Sequence, residues 1–380
     1  MAKSRRIVFL TGTRADYGKL KPLALQLIET TEFEVHLFVT GMHLLHKYGA
    51  TARAVMREFG NVYLYNNQPF ATRMDMVLSN TIFGFSSYVS EIEPSMVVVH
   101  GDRPEALAGA IVGSFNNILV SHIEGGEISG TIDELIRHSV SKLSHVHFVS
   151  NNSARDRLVQ LGENSSKIFV IGSPDIDIML SDTLPPLNIV QDHYNIPFSD
   201  YAIAIYHPIT TEPAKQDERA CNFFQALEKS SENFIIIRPN NDPGCESVER
   251  HIDEISTNPR FKVFPSVEFE SFLSLLRSCR FIIGNSSAGI REAPVYHKWS
   301  INVGSRQSQR STGPTIINVN NKQSEITEAI RRVITRNPPQ SDLSFEFGDG
   351  NSVAKFMQII QGDEIWSTDS QKQFISTPQH

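Results

Sequence analysis

The sequence is poor in cysteine and has no excess of basic residues. Its 380 residues include three cysteines, Cys221, Cys245 and Cys279, and carry a formal net charge of -7. The cysteines form neither a Cys-x-x-Cys pair nor a Cys/His spacing suited to zinc, and an odd number does not suit a disulfide framework. An acidic chain offers no basic surface for nucleic acid. We therefore expect a reduced, cytoplasmic protein without a nucleic-acid partner.

Long apolar runs and the commonest nucleotide-binding patterns are missing as well. The N-terminal stretch MAKSRRIVFLTGT has a basic start, but its run of about five apolar residues is too short for a signal peptide or a membrane span. The turn that follows this run fits neither GxGxxG nor GxxxxGK[ST]. The sequence thus predicts no membrane partner and excludes the commonest dinucleotide and phosphate-loop sites at this turn.

Short apolar runs do alternate with segments of helical period, which is typical of βα units and a parallel sheet. A single core stops growing at roughly 250 to 300 residues, so this chain should form two domains. The paired prolines Pro185 and Pro186 interrupt the pattern. We predict α/β domains with parallel sheets over residues 1–182 and 183–353, and a polar end over residues 371–380. The predicted strands are residues 7–10, 35–39, 96–99, 118–121, 146–149 and 168–171, then 201–206, 234–237, 262–264, 281–283 and 299–303.

Ligands of open parallel sheets bind beyond the carboxyl ends of the strands, so the residues after each run matter most. After the first strand comes TGTRADYGK, residues 11–19. Its glycine allows a close backbone approach and the next helix N-terminus favours an anion, which Arg14 would help to bind. The alternative is an ordinary turn in which Asp16 caps the helix. The pattern does not decide between the two.

Three carboxylates follow the next strands. Asp102 lies in HGDR after residues 96–99, Glu124 lies in HIEGGE after 118–121, and Asp133 precedes the helical segment IRH. For Asp133 alone, helix capping is the favoured interpretation. Together with His100, Arg103 and His122, the carboxylates suit proton abstraction, proton donation and stabilisation of a cationic transition state. A metal site is the rival interpretation, but no HxxxH or HExxH spacing supports it.

The second half ends its strands in residues suited to a phosphate and a ribose. GNSSAGIRE, residues 284–292, follows a strand and precedes a helix. Its small residues present backbone N–H groups to phosphate, and Glu292 can accept both ribose hydroxyls. His207, Asn240 and Arg306 also follow strands. This half is predicted to bind the nucleotide.

Seven motifs in a fixed order resemble one known family, the hydrolysing UDP-N-acetylglucosamine 2-epimerases of bacterial sialic-acid synthesis. HPITT in place of the HRRE of non-hydrolysing relatives, and HIEGGE followed by IRH, favour the hydrolysing branch. The motifs cover most of the chain and are TGTRADYGKL, TGMH, HGDR, HIEGGEISGTIDELIRH, YHPITTE, GNSSAGIREA and NVGSRQ.

The resemblance implies a glycosyltransferase-B-like fold, in which two doubly wound, Rossmann-like domains face a cleft. A helix over Lys355–Ile360 would cross back to the first domain, and residues 354–380 would form this helix with a polar tail. It implies loss of UDP with abstraction of the C2 proton, a 2-acetamidoglucal intermediate, and hydration to N-acetylmannosamine. No metal or other cofactor is expected. Members of the family commonly form homodimers or homotetramers.

By the same resemblance, Asp102, Glu124 and Asp133 are the acid/base carboxylates, and Val267 offers backbone hydrogen bonds to uracil. His43 and His122 either contact the sugar or are structural. The expected UDP-binding residues are Arg14, Arg103, His207, Asn240, Val267, Ser286, Ser287, Glu292 and Arg306.

Two alternatives stay open. The same chemistry on UDP-2,4-diacetamido-2,4,6-trideoxyglucose would lead to legionaminic acid, and a glycosyltransferase of this fold would transfer the sugar to an acceptor. A non-catalytic nucleotide sensor is a third class.

Overall fold

A computed structural model of the chain describes residues 4–68, 73–129, 132–209, 213–240, 242–307, 313–339 and 345–376. Contacts divide the chain into two compact units. The first comprises Met1–Glu127, Asp133–Leu180 and Glu346–His380, and the second comprises Ile128–Ile132 and Ser181–Phe345. Each unit is built on one parallel sheet, so the prediction of two doubly wound α/β halves is confirmed.

The first unit contains a seven-stranded sheet in the order β3-β2-β1-β4-β5-β6-β7. The order runs outward in both directions from β1 and β4, which is the doubly wound arrangement. All six predicted strands are present. The strand that was missed, β3, has three residues and is largely exposed, so it lacks an apolar run. The strands are β1 Arg5–Thr11, β2 Phe33–Val39, β3 Val62–Leu64, β4 Met96–His100, β5 Leu119–Ile123, β6 Val146–Val149 and β7 Ile168–Val170.

The second unit contains a six-stranded sheet in the order β10-β9-β8-β11-β12-β13. Its one strand without a prediction, β13, lies at the sheet edge and is only partly buried. The strands are β8 Ala202–Ile205, β9 Phe234–Ile237, β10 Phe261–Phe264, β11 Phe281–Gly284, β12 Trp299–Val303 and β13 Ile316–Val319.

Helices connect the parallel strands and cover the sheets. Among the described residues, none of them is both long and apolar enough to cross a membrane. The helices are α1 Arg14–Ile28, α2 Ala52–Glu58, α3 Met74–Ile92, α4 Pro104–Phe115, α5 Ile132–Leu143, α6 Asn152–Gln160, α7 Pro174–Met179, α8 Leu187–Tyr194, α9 Gln216–Lys229, α10 Cys245–Ile255, α11 Phe269–Ser278, α12 Glu292–Val295, α13 Gln323–Ile334, α14 Ser352–Ile360 and α15 Asp363–Trp366.

Burial on both faces of the sheets explains the unbroken apolar runs. Met96 and the three valines that follow it in β4 are fully buried. Helix α4 packs closely on this strand because Gly109 has no side chain, and a Cβ there would lie 2.7 Å from Val99 Cγ1. The same close packing fixes the start of α4, and therefore the loop that carries Asp102 and Arg103.

The helix near the C-terminus belongs to the first unit. Helix α14 packs on α1 and α7, and the ring of Phe356 lies 4.9 Å from that of Phe148 in β6. Asp177 caps α14 by accepting the N–H groups of Ser352 and Val353 at 2.9 and 2.8 Å. This cap explains why the helix begins at Ser352, three residues before the predicted start at Lys355.

Replacing Phe356 by alanine should destabilise the first unit by about 3–5 kcal/mol, because a fully buried ring is removed from the core. The matched control is Gln358→Ala on the exposed side of α14, which should cost less than about 0.5 kcal/mol. Urea-induced unfolding of the two variants, followed by circular dichroism, measures both. Equal losses would contradict the packing of α14 into this core.

Candidate active site

The carboxyl ends of β4 and β5 bring two of the predicted carboxylates to the same edge of the first sheet. His100 at the end of β4 pairs in register with Ile123 at the end of β5. Asp102 and Glu124 follow these two strand ends, as the sequence predicts. Glu124 has a positive φ of 62°, which is uncommon for a residue other than glycine and is often found at functional sites.

The Glu124 carboxylate is 4% exposed and is surrounded by donors. Lys19 Nζ lies 3.0 Å from each of its oxygens. His100 Nε2 lies 3.1 Å from Oε2, and the Ser173 hydroxyl donates to Oε1. Charge-assisted hydrogen bonds of this kind stabilise the ionised carboxylate and fix its orientation.

Lys19 also pairs with a second buried carboxylate. Its Nζ lies 2.9 Å from Asp175 Oδ2, and Asp175 is 0% exposed. The lysine therefore joins α1 to β5 and to the start of α7. Sequence reasoning missed Lys19, Ser173 and Asp175. The last two follow β7 directly, so the strand-end criterion, had it been applied after residues 168–171, would have found them.

A buried arginine, Arg137 in α5, pairs with Asp102 and feels the charge of Asp133. Arg137 is 1% exposed, forms an ion pair with Asp102, and donates from NH1 to the carbonyl of Glu127 at 3.1 Å. Burial acts to lower the pKa of Arg137, but the charges of Asp102, Glu127 and Asp133 outweigh it and raise this pKa above its usual value. Asp133 precedes Arg137 by one helical turn. That spacing is the signal by which Arg137 could have been found.

The two histidines of uncertain role, His122 and His43, are both fully buried. His122 donates from Nε2 to the carbonyl of Gly101 at 2.8 Å and meets Ser141 Oγ at Nδ1. His43 is hydrogen-bonded at both ring nitrogens to Thr11 and Thr51. Burial lowers the pKa of His122 to about 3 and that of His43 to about 4, so both are neutral at pH 7. These contacts favour the structural alternative.

The turn after β1 is organised by Asp16. Thr13 and Asp16 form a capping box at the start of α1, and the Asp16 carboxylate accepts the N–H groups of Gly12 and Thr13 at 2.9 Å each. The anion that these two backbone N–H groups bind is therefore the Asp16 carboxylate. Asp16 caps the helix, as the second alternative expects, and Arg14, half-buried, occupies the first position of the helix, where its part in anion binding stays a prediction.

In the second unit, Asn285 holds the predicted nucleotide-binding residues together. It is fully buried and exchanges two hydrogen bonds with the backbone of His207, at 2.7 and 2.8 Å. The backbone N–H of Asn240 donates to His207 Nδ1 at 3.3 Å, so the proton of a neutral ring is at Nε2. Arg306 and Gln307 donate to the Asn285 carbonyl at 3.2 and 3.0 Å.

The turn after β11 has the small-residue geometry expected for it. Gly284 has φ 140°, and a Cβ there would overlap the carbonyl oxygen of Ile205. The Ser286 hydroxyl accepts the N–H of Ala288 at 3.3 Å and caps the short turn Ser287–Gly289. Glu292 begins α12.

Val267, also among the predicted residues, is buried in the segment that joins β10 to α11. Like His207, Asn240, Ser286 and Arg306, it follows the carboxyl end of a strand of the second sheet. Residues 130, 131 and 210–212 of the quoted motifs lie outside the described residues. Within the described ranges, no group of three or more His, Cys, Asp or Glu side chains could hold a metal ion.

One doubly wound sheet has carboxylates at its strand ends, and the other has a glycine-serine turn at its strand ends. These features place the protein in the class of α/β enzymes built from two doubly wound units. The chain belongs to the UDP-N-acetylglucosamine 2-epimerase family, whose model matches residues 26–361.

Three known proteins illustrate the likeness. The chain is 48% identical to a UDP-N-acetylglucosamine 2-epimerase of Neisseria meningitidis, over 98% of this chain and 99% of the relative. It is 31% identical to a UDP-N,N'-diacetylbacillosamine 2-epimerase (hydrolyzing) of Legionella pneumophila, over 94% and 96%. A crystal structure of UDP-GlcNAc 2-epimerase from Methanocaldococcus jannaschii in complex with UDP-GlcNAc and UDP matches with a TM-score of 0.78 at 21% identity, over 93% and 99%. The fold class expected from the motifs is confirmed.

Replacing Lys19 by methionine should destabilise the first unit by about 3–5 kcal/mol, because two buried carboxylates lose their shared cation. The matched control is Lys21→Met, two residues along the same helix, where the lysine pairs with the partly exposed Glu58. That change should cost about 1 kcal/mol or less. Urea-induced unfolding at pH 7 compares them, and similar losses would show that Lys19 is no buried bridge.

Proposed function

We propose that the chain is a hydrolysing UDP-N-acetylglucosamine 2-epimerase that converts UDP-N-acetylglucosamine and water into N-acetylmannosamine and UDP for sialic-acid biosynthesis. One observation carries the chemistry: Asp102 and Glu124 lie at the carboxyl edge of the first sheet and pair with two buried cations, Arg137 and Lys19, while the charge of Asp133 acts on Arg137. The 48% identity to the Neisseria meningitidis enzyme supports the substrate.

The reaction needs a base at C2 of the sugar and a stabilised leaving group at C1. As a carboxylate removes the C2 proton, the electron pair of the C2–H bond forms the C1=C2 double bond. The C1–O bond to the diphosphate breaks at the same time and leaves its electron pair on UDP. Water then adds its hydroxyl at C1, and a proton is delivered to C2 on the opposite face. A carboxyl group in one protonation state serves as base and one in the other state serves as acid.

The two cations place the carboxylates in different surroundings. Glu124 accepts from Lys19, His100 and Ser173, so in this proposal it stays ionised and stabilises positive charge that develops at C1. The Asp102 side chain is 25% exposed, which leaves it open to substrate. Asp102 and Asp133 therefore exchange the protons.

UDP is bound in this proposal by the strand-end residues of the second unit, together with Arg14 and Arg103. His207 donates from Nε2 to a phosphate, since Asn240 already occupies Nδ1. The serines supply hydroxyl and backbone donors to the phosphates, and Glu292 accepts the ribose hydroxyls. The residues of the second unit are His207, Asn240, Val267, Ser286, Ser287, Glu292 and Arg306.

A second candidate is the same hydrolysing reaction on UDP-2,4-diacetamido-2,4,6-trideoxyglucose. The observation that favours it is the Legionella pneumophila relative, whose printed name gives a diacetylated sugar and a hydrolysing reaction. Its identity to this chain is 31%, against 48% for the UDP-N-acetylglucosamine enzyme, so we place it second. Rates on the two sugar nucleotides decide between them, and faster turnover of the trideoxy sugar would reverse the order.

Asp102→Asn and Glu124→Gln should each lower turnover of UDP-N-acetylglucosamine by about 10²- to 10⁴-fold, because each removes a carboxylate that acts on the reacting sugar. UDP affinity should persist, since its proposed ligands lie mainly in the second unit. The assay measures released N-acetylmannosamine and UDP, and equilibrium binding measures UDP affinity.

The matched control is Glu34→Gln on β2, where the carboxylate pairs with Arg6 away from the site, and it should turn over normally. Normal turnover of the Asp102 and Glu124 variants would contradict the catalytic assignment. Absence of free N-acetylmannosamine from the unaltered protein would instead favour a glycosyltransferase.

A further inference from the structure

Residues 370–375, which follow α15 and which we name the C-terminal strap, are tied to the first unit along their length. His145 accepts the N–H of Val120 at Nδ1, so its Nε2 donates to the Ser370 carbonyl, at 3.1 Å. The backbone N–H of Ile375 donates to the Gly162 carbonyl at 3.0 Å. The proposed mechanism uses none of these contacts.

Lys372 is the centre of the strap. Its Nζ donates to the carbonyls of Ser141, Lys142 and Ser144, at 3.0, 2.9 and 2.6 Å. The first two belong to the last turn of α5, whose carbonyls lack the i+4 N–H partners of a helix interior, and the third follows the helix directly. The Ser141 carbonyl also accepts the N–H of Ser144 at 3.1 Å. A cation at this end is also favoured by the helix dipole. Lys372 thus closes the C-terminal end of α5.

The charge of Lys372 is balanced by a buried glutamate. Glu163 pairs with Lys372, with Lys142 Nζ at 3.0 Å and with His147 Nε2 at 3.1 Å. Burial acts to raise the pKa of Glu163, but the hydrogen bond from His147 and the charges of His147 and Lys372 outweigh it and hold this pKa at about 2. Glu163 is therefore an ionised anchor at neutral pH.

The aromatic residue of the strap, Phe374, occupies a place that only glycine leaves open. Gly162 has φ 78°, and a Cβ there would overlap the Phe374 ring. Lys142 Nζ lies 4.8 Å from the centroid of the same ring, a favourable cation–π contact. The strap is thus seated by backbone, ionic and aromatic contacts together.

Helix α5 connects this anchor to the catalytic carboxylates. Asp133, Arg137 and Ser141 are four residues apart and share one face of the helix. Arg137 pairs with Asp102, while the Ser141 hydroxyl meets His122, whose Nε2 donates to the carbonyl of Gly101 beside Asp102. Any shift of α5 would move all of these contacts at once.

We propose that Lys372 is a positioning residue, through which the C-terminal strap holds α5 and with it Asp133 and the Arg137–Asp102 pair. The inference rests on the proposed function for the catalytic role of those carboxylates. The strap's own contacts to α5 do not depend on that role. Misplacement of a reacting group by about 1 Å can cost about a hundredfold in rate, so a contact remote from the sugar can govern turnover.

The experiment compares Lys372→Met, which removes the charge and keeps the length, with Lys372→Arg, which keeps the charge. The matched control is Lys355→Met, where a partly exposed lysine of α14 loses its pairing with Asp349. We expect Lys372→Met to lower kcat about ten- to a hundredfold, with KM and UDP affinity unchanged. Lys372→Arg should restore most of kcat, and Lys355→Met should match the unaltered protein.

Hydrogen–deuterium exchange tests the strap without substrate. In Lys372→Met, amides of Ile132–Leu143 should exchange about tenfold faster or more, while those of Gln216–Lys229 in the second unit should not change. Unchanged exchange in α5, unchanged kcat, or an equal loss in Lys355→Met would overturn the inference. If the unaltered protein shows no turnover, the proposed function fails, and exchange alone decides whether Lys372 holds α5.

Discussion

The buried ammonium of Lys19 is the interaction on which the arrangement of the candidate site depends. It lies within hydrogen-bonding distance of both Glu124 and Asp175, which come from segments far apart in the chain. Without it, two carboxylates would be buried close together with no shared cation, which is among the costliest arrangements a protein interior can contain. The pairing fixes Glu124 in its positive-φ conformation and joins α1, β5 and α7 at one point.

Arg137 is the second buried cation of the candidate site. It is buried, it pairs with Asp102, and the charges of Asp102, Glu127 and Asp133 keep it protonated. The edge of the first sheet is therefore built from carboxylates around two cations and two neutral histidines. Each cation comes from a helix that follows a strand, so the position of α1 and α5 sets the geometry of the site. The contacts of the C-terminal strap with the end of α5 bear on the same geometry, because they act on the helix that carries Arg137.

Much of this architecture follows from the sequence. Strands buried on both faces give continuous apolar runs, such as residues 96–99. The places of Asp102, Glu124 and His207 directly after strands were predicted from these runs, and the structure has them there. The two strands that escaped prediction, β3 and β13, are at sheet edges and partly exposed. Lys19 escaped because its partner Glu124 is 105 residues away. Arg137, whose partner Asp102 is 35 residues away, was signalled only by its four-residue spacing from Asp133. Helical period shows that a side chain is buried but not which carboxylate it meets.

The central claim is that Asp102 and Asp133 exchange the C2 proton during hydrolysis. Its most direct test is proton NMR of the reaction in deuterated water with UDP-N-acetylglucosamine. The account predicts free N-acetylmannosamine with deuterium at C2, formed together with UDP, because the proton delivered to C2 comes from solvent-exchanged carboxyl groups. N-acetylmannosamine that retains its C2 proton, or no free sugar at all, would contradict it.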